Sequence, residues 1–112
     1  MIGFLKTLLA PRSPFQANRS PQWPKVRATW LAKNPVCEVC GTKQNLEVHH
    51  MQPFHLFPKL ELDPSNFATL CESDQRCHFI IGHGGNWKWF RLQCKAFIVS
   101  EHTARKNMES VT

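Results

Sequence analysis

Two sets of metal-binding side chains are interleaved along this chain. Cys37 and Cys40 stand two residues apart in CEVCG, and Cys71 and Cys77 follow downstream. Between and after them come the adjacent His49 and His50, then His78 beside Cys77, and His83 five positions on. Thiolates with two residues between them reach one tetrahedral ion, and Gly41 relieves the turn beneath, so Cys37-x-x-Cys40-Gly41 is a zinc knuckle by spacing. Cys71 and Cys77 supply the second pair. Five residues, ESDQR, separate them, wider than the usual two to four, so this loop must bulge outward to bring both sulfurs home. Such a site organises folding in a small domain rather than performing chemistry. Cys94 is left over and reads as a buried thiol. The plainer alternative is five free, buried cysteines in a cytosolic protein.

Successive side chains of an extended strand point to opposite sides. His49 and His50 therefore divide: one imidazole binds a metal while its neighbour faces a substrate phosphate across the same ridge. Taken singly, these residues are ordinary. A His-His dipeptide is usually surface or packing, Asn66 after Pro64-Ser65 is a turn or helix cap, and His78 is a replacement zinc ligand beside Cys77. Their order and spacing around the cysteine pairs set them apart. His55 in the loop and His102 in the tail read as incidental.

The elements that must position these groups are short. Pro24 suits the first turn of a helix running through KVRATWLAK and stopping before Pro35. Val26, Trp30 and Leu31 supply its apolar stripe, while Lys25, Arg27 and Lys33 face water or phosphate. Leu46 to Met51 reads as a strand ending at the two histidines. Residues 52–65 form a loop rich in Pro and Phe, and Asn66 to Leu70 is a second short extended segment. A helix is expected from near Gln75, carrying Cys77, His78 and Ile81 up to the glycines at 82, 84 and 85. A final helix is expected from Trp87 to about Lys106, with Trp87, Phe90, Leu92, Ala96, Phe97 and Val99 at roughly helical spacing. Trp87 and Trp89 read as core rather than as a base-stacking platform.

A chain of 112 residues holds one small domain, and a core of that size gains from a metal staple. The division expected is a basic, Pro-rich arm over 1–22, the domain over 23–107, and a tail over 108–112. The formal charge is +6, unevenly spread. Residues 1–36 carry six Lys or Arg and no acid, residues 37–78 carry three bases against six acids, and residues 79–112 carry five against two. Basic flanks around a more acidic centre suit a polyanion gripped at its edges with a metal site between. The apolar run in MIGFLKTLLA is far too short to span a bilayer and has no convincing cleavage site, so neither membrane attachment nor secretion is expected. Cysteines used for metal rather than disulfides point to a reducing, cytoplasmic compartment.

The ordered His, Asn and His among two cysteine pairs resembles the HNH endonuclease family. The likeness runs from about Trp23 to Trp87 and is carried by CEVCG, LEVHHMQPF, DPSNFATLC and CHFIIGHGGNW. The resemblance implies a small α+β fold, a ββα-metal (His-Me finger) core with a structural zinc knuckle and flanking helices. It implies His50 as general base, His49 and His78 as ligands of one catalytic divalent ion, and Asn66 as the residue that steadies the loop holding the base. Many members place Asp where His49 stands, but the double-histidine form occurs in colicin-type nucleases, which also carry a further helix histidine. His83 is the counterpart here, at a spacing of five rather than four. The expected cofactors are one Mg²⁺, Mn²⁺, Ni²⁺ or Zn²⁺ for catalysis and one structural Zn²⁺. The expected substrate is DNA, cut with little sequence preference and held through Lys25, Arg27, Lys88 and Arg91. A setting in a larger phage or restriction assembly fits such a small member. The competing reading is a non-catalytic zinc-knuckle module that binds nucleic acid, which leaves the grouping of His49, His50, Asn66 and His78 without a reason.

Overall fold

The computed structural model describes residues 19–111. In chain order it contains helix α1 (Trp23–Lys33), strand β1 (Leu46–His50), strand β2 (Phe67–Cys71), a single π-helical turn (His78–Gly82) and helix α2 (Cys94–Val111). Short 3-10 turns lie at Pro58–Leu60 and Pro64–Asn66. This is a small α+β chain whose two strands and following helical turn form the expected ββα arrangement. Most of the arm expected over 1–22 lies outside the described residues. No helix among the described residues is long and apolar enough to cross a membrane.

Pro24 occupies the first turn of α1, where its missing N–H costs nothing. The helix stops where Asn34 leaves helical geometry, its backbone N–H and side-chain Nδ2 both donating to the Trp30 carbonyl at 2.8 and 3.0 Å. Pro35 then disfavours any continuation. Val26 and Leu31 are half-buried, but the rings that anchor the helix are Trp23 and Trp30, packed edge-on against Phe67 at 5.5 and 5.4 Å. Trp30 Nε1 donates to Thr69 Oγ1 (2.9 Å), which in turn donates to the Asn34 carbonyl (2.9 Å).

β1 and β2 pair antiparallel, with His49 opposite Ala68 and His50 opposite Phe67. Side-chain alternation gives the ribbon two faces. One carries His50, Phe67 and Thr69 and receives α1. The other carries His49 and Leu70 and receives the π-turn, whose Gly82 lies against both. Below this face Leu70, Ile81, Val39 and Ile98 form the core with Met51 and the buried cysteines. Each fully buried side chain of the size of Leu70 or Ile98 contributes about 1.5–3 kcal/mol.

Three expectations about helices need correction. The helix expected from Gln75 is a single π-turn. Arg76 sits at φ 47, a left-handed conformation that breaks a helix, and Gly84 and Gly85 at φ 60 and 83 turn the chain away after it. The final helix begins at Cys94 rather than Trp87, because Gln93 is left-handed (φ 54) and Asn86 holds residues 87–89 in turns. It continues to Val111, past the end expected at about Lys106. Trp87 and Trp89 are about half exposed and Leu92 and Val99 more so, which removes them from the core. The helix instead turns Cys94, Phe97 and Ile98 inward, an i, i+3, i+4 face.

Candidate metal centre and cleft

Four sulfurs and three imidazoles form two separate clusters. In the first, one ligand atom from each of Cys37, Cys40, Cys71 and Cys77 lies within 4.8 Å of all the others. The knuckle is closed by the Gly41 N–H on the Cys37 carbonyl (3.0 Å), and Gly41 takes φ 80, a conformation that favours glycine. The wide loop before Cys77 bulges as expected, folding back through a turn in which the Arg76 N–H donates to Ser73 O (2.8 Å). A hydrogen bond from the Cys77 thiol pushes Cys37 down to about 4 and drives Cys77 the other way. One thiolate is thus held at its neighbour's expense, a conflict that a dication in the middle removes. These cysteines are positioned to form a zinc site. Cys94, buried outside the cluster, is pushed up to about 11 by burial and stays a neutral thiol.

The second cluster is His49, His78 and His83, whose ligand atoms also lie within 4.8 Å of one another. The ring centroids are 4.8 to 5.1 Å apart. His49 comes from β1 and is almost fully buried, yet its Nε2 has no hydrogen-bond partner among the described residues. A buried, unpartnered ring nitrogen is costly unless something binds it. His83 Nδ1 donates to the Trp89 carbonyl (2.9 Å), and His78 Nδ1 sits 3.0 Å from Glu72 Oε2. These outer contacts leave Nε2 of each ring as the lone-pair nitrogen, the support typical of metal-binding histidines. Burial, and then the neighbouring imidazoles, lower the proton affinity of His49 and His78, His78 to about 4. Burial lowers His83 too. Three neutral imidazoles with an orphaned nitrogen among them fit a divalent transition ion.

His50 lies on the opposite face of β1, as alternation requires. Its Nε2 donates to the Glu61 carbonyl at 2.8 Å, which leaves the lone pair on Nδ1. Trp23 and Phe67 pack on the ring at 4.6 and 5.2 Å. Burial is the largest influence on His50 and lowers its proton affinity; the nearby Arg19 charge acts in the same direction. Asn66 closes the loop between the strands. Its Oδ1 accepts from Gln52 N (2.8 Å), and its Nδ2 donates to Gln52 O (2.9 Å) and Leu60 O (3.4 Å).

Both faces meet at one cleft of about 230 Å³, lined by His49, His50, His78 and His83 with Arg19, Phe54, Trp87 and Lys88 among others. A larger groove, about 1100 Å³, runs between the knuckle and α2 and is lined by acids and bases alike. The four expected phosphate contacts fall differently. Lys88 lines the cleft and Lys25 is exposed on α1. Arg27 pairs with Glu47 at 2.9 Å, and Arg91 donates to the Ile81 carbonyl at 2.8 Å. Glu61, Glu72, Arg19 and Gly82 were not singled out by sequence. Glu72 had one signal, a carboxylate directly after Cys71; the others acquire their places only through the tertiary fold.

Compared with known families, residues 37–83 match the model for the HNH endonuclease. No curated protein and no solved structure matches the chain.

Proposed function

We propose, from the match of residues 37–83 to the HNH endonuclease family model, that this chain is a metal-dependent nuclease that hydrolyses DNA phosphodiester bonds. The observation that carries the reading is the division of labour at the end of β1. His49 turns an unpartnered nitrogen toward His78 and His83, while His50 is fixed with Nδ1 free by its bond to Glu61 O. A divalent ion held by His49, His78 and His83 would supply charge stabilisation to the phosphate and the departing oxygen.

His50 acts as the general base. Water attacks phosphorus, its proton passes to Nδ1, and the bond to the 3′ oxygen breaks, leaving a 5′-phosphate and, after protonation, a 3′-hydroxyl. The Glu61 carbonyl accepts from Nε2–H throughout, so it orients the ring and stabilises the imidazolium that forms. A positioned base of this kind contributes roughly 10²- to 10⁴-fold. Its lowered proton affinity keeps it unprotonated, and ready, at neutral pH. Asn66 does no proton transfer; by tying residue 52 to residue 60 it holds the loop that carries the Glu61 carbonyl. Cys37, Cys40, Cys71 and Cys77 would hold a structural zinc, which would tie the end of β2 to the start of the π-turn. Exposed Lys25 and Lys88 grip flanking phosphates without reading bases.

The test is incubation of purified protein with supercoiled plasmid in Mn²⁺ or Mg²⁺, with EDTA as the control. Relaxed or linear product that EDTA abolishes is the expected outcome. Retarded but uncut plasmid would instead identify a nucleic-acid-binding module.

A further inference from the structure

We propose that Arg19 binds a non-bridging oxygen of the scissile phosphate, beside the general base, and that Glu61 is the residue that positions it. The proposal rests on the nuclease reading above and adds a group outside the matched family segment.

The cleft holds two cationic side chains among its described lining residues, Arg19 and Lys88. They are presented differently. Lys88 stands on an exposed turn. Arg19 is held on three sides: its guanidinium lies over the Trp23 ring at 5.3 Å and the Phe54 ring at 4.9 Å, and Nη1 is 3.8 Å from Glu61 Oε2. Trp23 also packs on His50, so the arginine and the base share one aromatic wall.

Among the described residues, nothing hydrogen-bonds the donors of this guanidinium. Arg27 uses its fork on Glu47 and the Leu46 carbonyl, and Arg91 uses its own on the Ile81 and Ile80 carbonyls. Arg19 makes no hydrogen bond to another described residue, and at 3.8 Å the Glu61 contact orients by charge alone. A planar fork, fixed by aromatic faces and open to a cleft, suits bidentate binding of a phosphate.

Glu61 joins this residue to the base. Its side chain is almost fully buried and takes the Ser20 N–H on both oxygens, at 3.0 and 3.2 Å. Its backbone carbonyl takes His50 Nε2–H at 2.8 Å. One residue therefore sets both the ring that removes the proton and the chain that carries Arg19. The phosphate then lies between the imidazole cluster on one wall and Arg19 on the other.

The test is single-turnover cleavage of a duplex oligonucleotide in Mn²⁺ by wild type, Arg19→Ala, Arg19→Lys and Glu61→Gln, each checked for zinc content and melting temperature. Arg19→Ala is expected to lower the saturating single-turnover rate roughly 100-fold or more, with a smaller change in the enzyme concentration that half-saturates it, the loss typical of removing one donor to developing charge. Arg19→Lys should recover part of the rate. Low, non-denaturing guanidinium should restore Arg19→Ala but not Glu61→Gln, a response that a merely structural role would not give. If wild type cuts and Arg19→Ala cuts equally well, or its loss is not rescued by guanidinium or by lysine, the proposal is overturned and the nuclease reading stands. A wild type that cuts nothing removes that reading, and this proposal with it.

Discussion

The His83 amide donates to the His78 carbonyl at 3.1 Å, a bond across five residues, and the two imidazoles stand 4.9 Å apart, centroid to centroid. In an α-helix a residue five positions on lies about 140° round the axis, on another face. A π-turn needs that one extra residue to come round. The spacing of five is therefore matched to the local helix type, and both rings meet His49. His83→Ala should weaken Mn²⁺ binding, measured by calorimetry, by more than tenfold, since even outer contacts to ligands are worth about 10- to 100-fold. Unchanged affinity would remove His83 from the ligand set.

Gly82 makes the approach of the π-turn to β1 possible. A Cβ there would stand 3.0 Å from Leu70 Cδ1 and 3.1 Å from His49 Cε1. Gly82→Ala should therefore cost about 1–3 kcal/mol of stability and also weaken metal binding by turning the His49 ring. Gly85→Ala, with nothing within 4 Å of its Cβ, carries backbone strain alone and should leave metal affinity intact. Equal metal affinity in Gly82→Ala and wild type would show that the His49 ring has room to spare.

Cys77→Ser should lose zinc, read by elemental analysis, and with it the folded state, because binding energy at such sites is folding energy of about 10–16 kcal/mol. That exceeds the whole stability of most domains, about 5–15 kcal/mol. Cys94→Ser should keep its zinc, since Cys94 is buried outside the cluster. A full zinc complement in Cys77→Ser would remove the second cysteine pair from the site.

Acid should destabilise the protein when its imidazole site carries no metal. Burial holds His49, His50, His78 and His83 below 6.5 in the folded state, His78 to about 4. The unfolded chain takes up these protons first as pH falls, so stability is full above about 6.5 and is lost between there and about 4. The slope is about 1.4 kcal/mol per pH unit for each proton taken up. Melting temperatures at pH 7.5, 6.5 and 5.5, with zinc content checked at each, should fall steadily. A constant midpoint would contradict the burial of these rings.

The grouping of Cys37, Cys40, Cys71 and Cys77, and of His49 with His78 and His83, was legible because spacing carries it, in Cys-x-x-Cys-Gly, in the strand-end histidine and in His78 beside Cys77. Strand alternation likewise placed His49 and His50 on opposite faces. What sequence did not reveal depends on backbone and tertiary placement. Arg76 and Gln93 adopt left-handed conformations that their residue types do not announce, so helices expected to start near Gln75 and Trp87 start late. The apolar run through Trp87, Trp89 and Leu92 looked like core, yet two glycines and Asn86 turn it outward at the cleft mouth. Glu61, eleven residues from His50, becomes its partner only because Asn66 folds the intervening loop back.

The proposed chemistry turns on the His50 imidazole. The most direct measurement is single-turnover plasmid nicking by His50→Ala beside its Mn²⁺ affinity and melting curve. Cleavage should fall by roughly 10²- to 10⁴-fold while metal binding and folding persist, because His49, His78 and His83 are untouched. Cleavage at the wild-type rate by a folded, metal-loaded His50→Ala protein would contradict the assignment of the base.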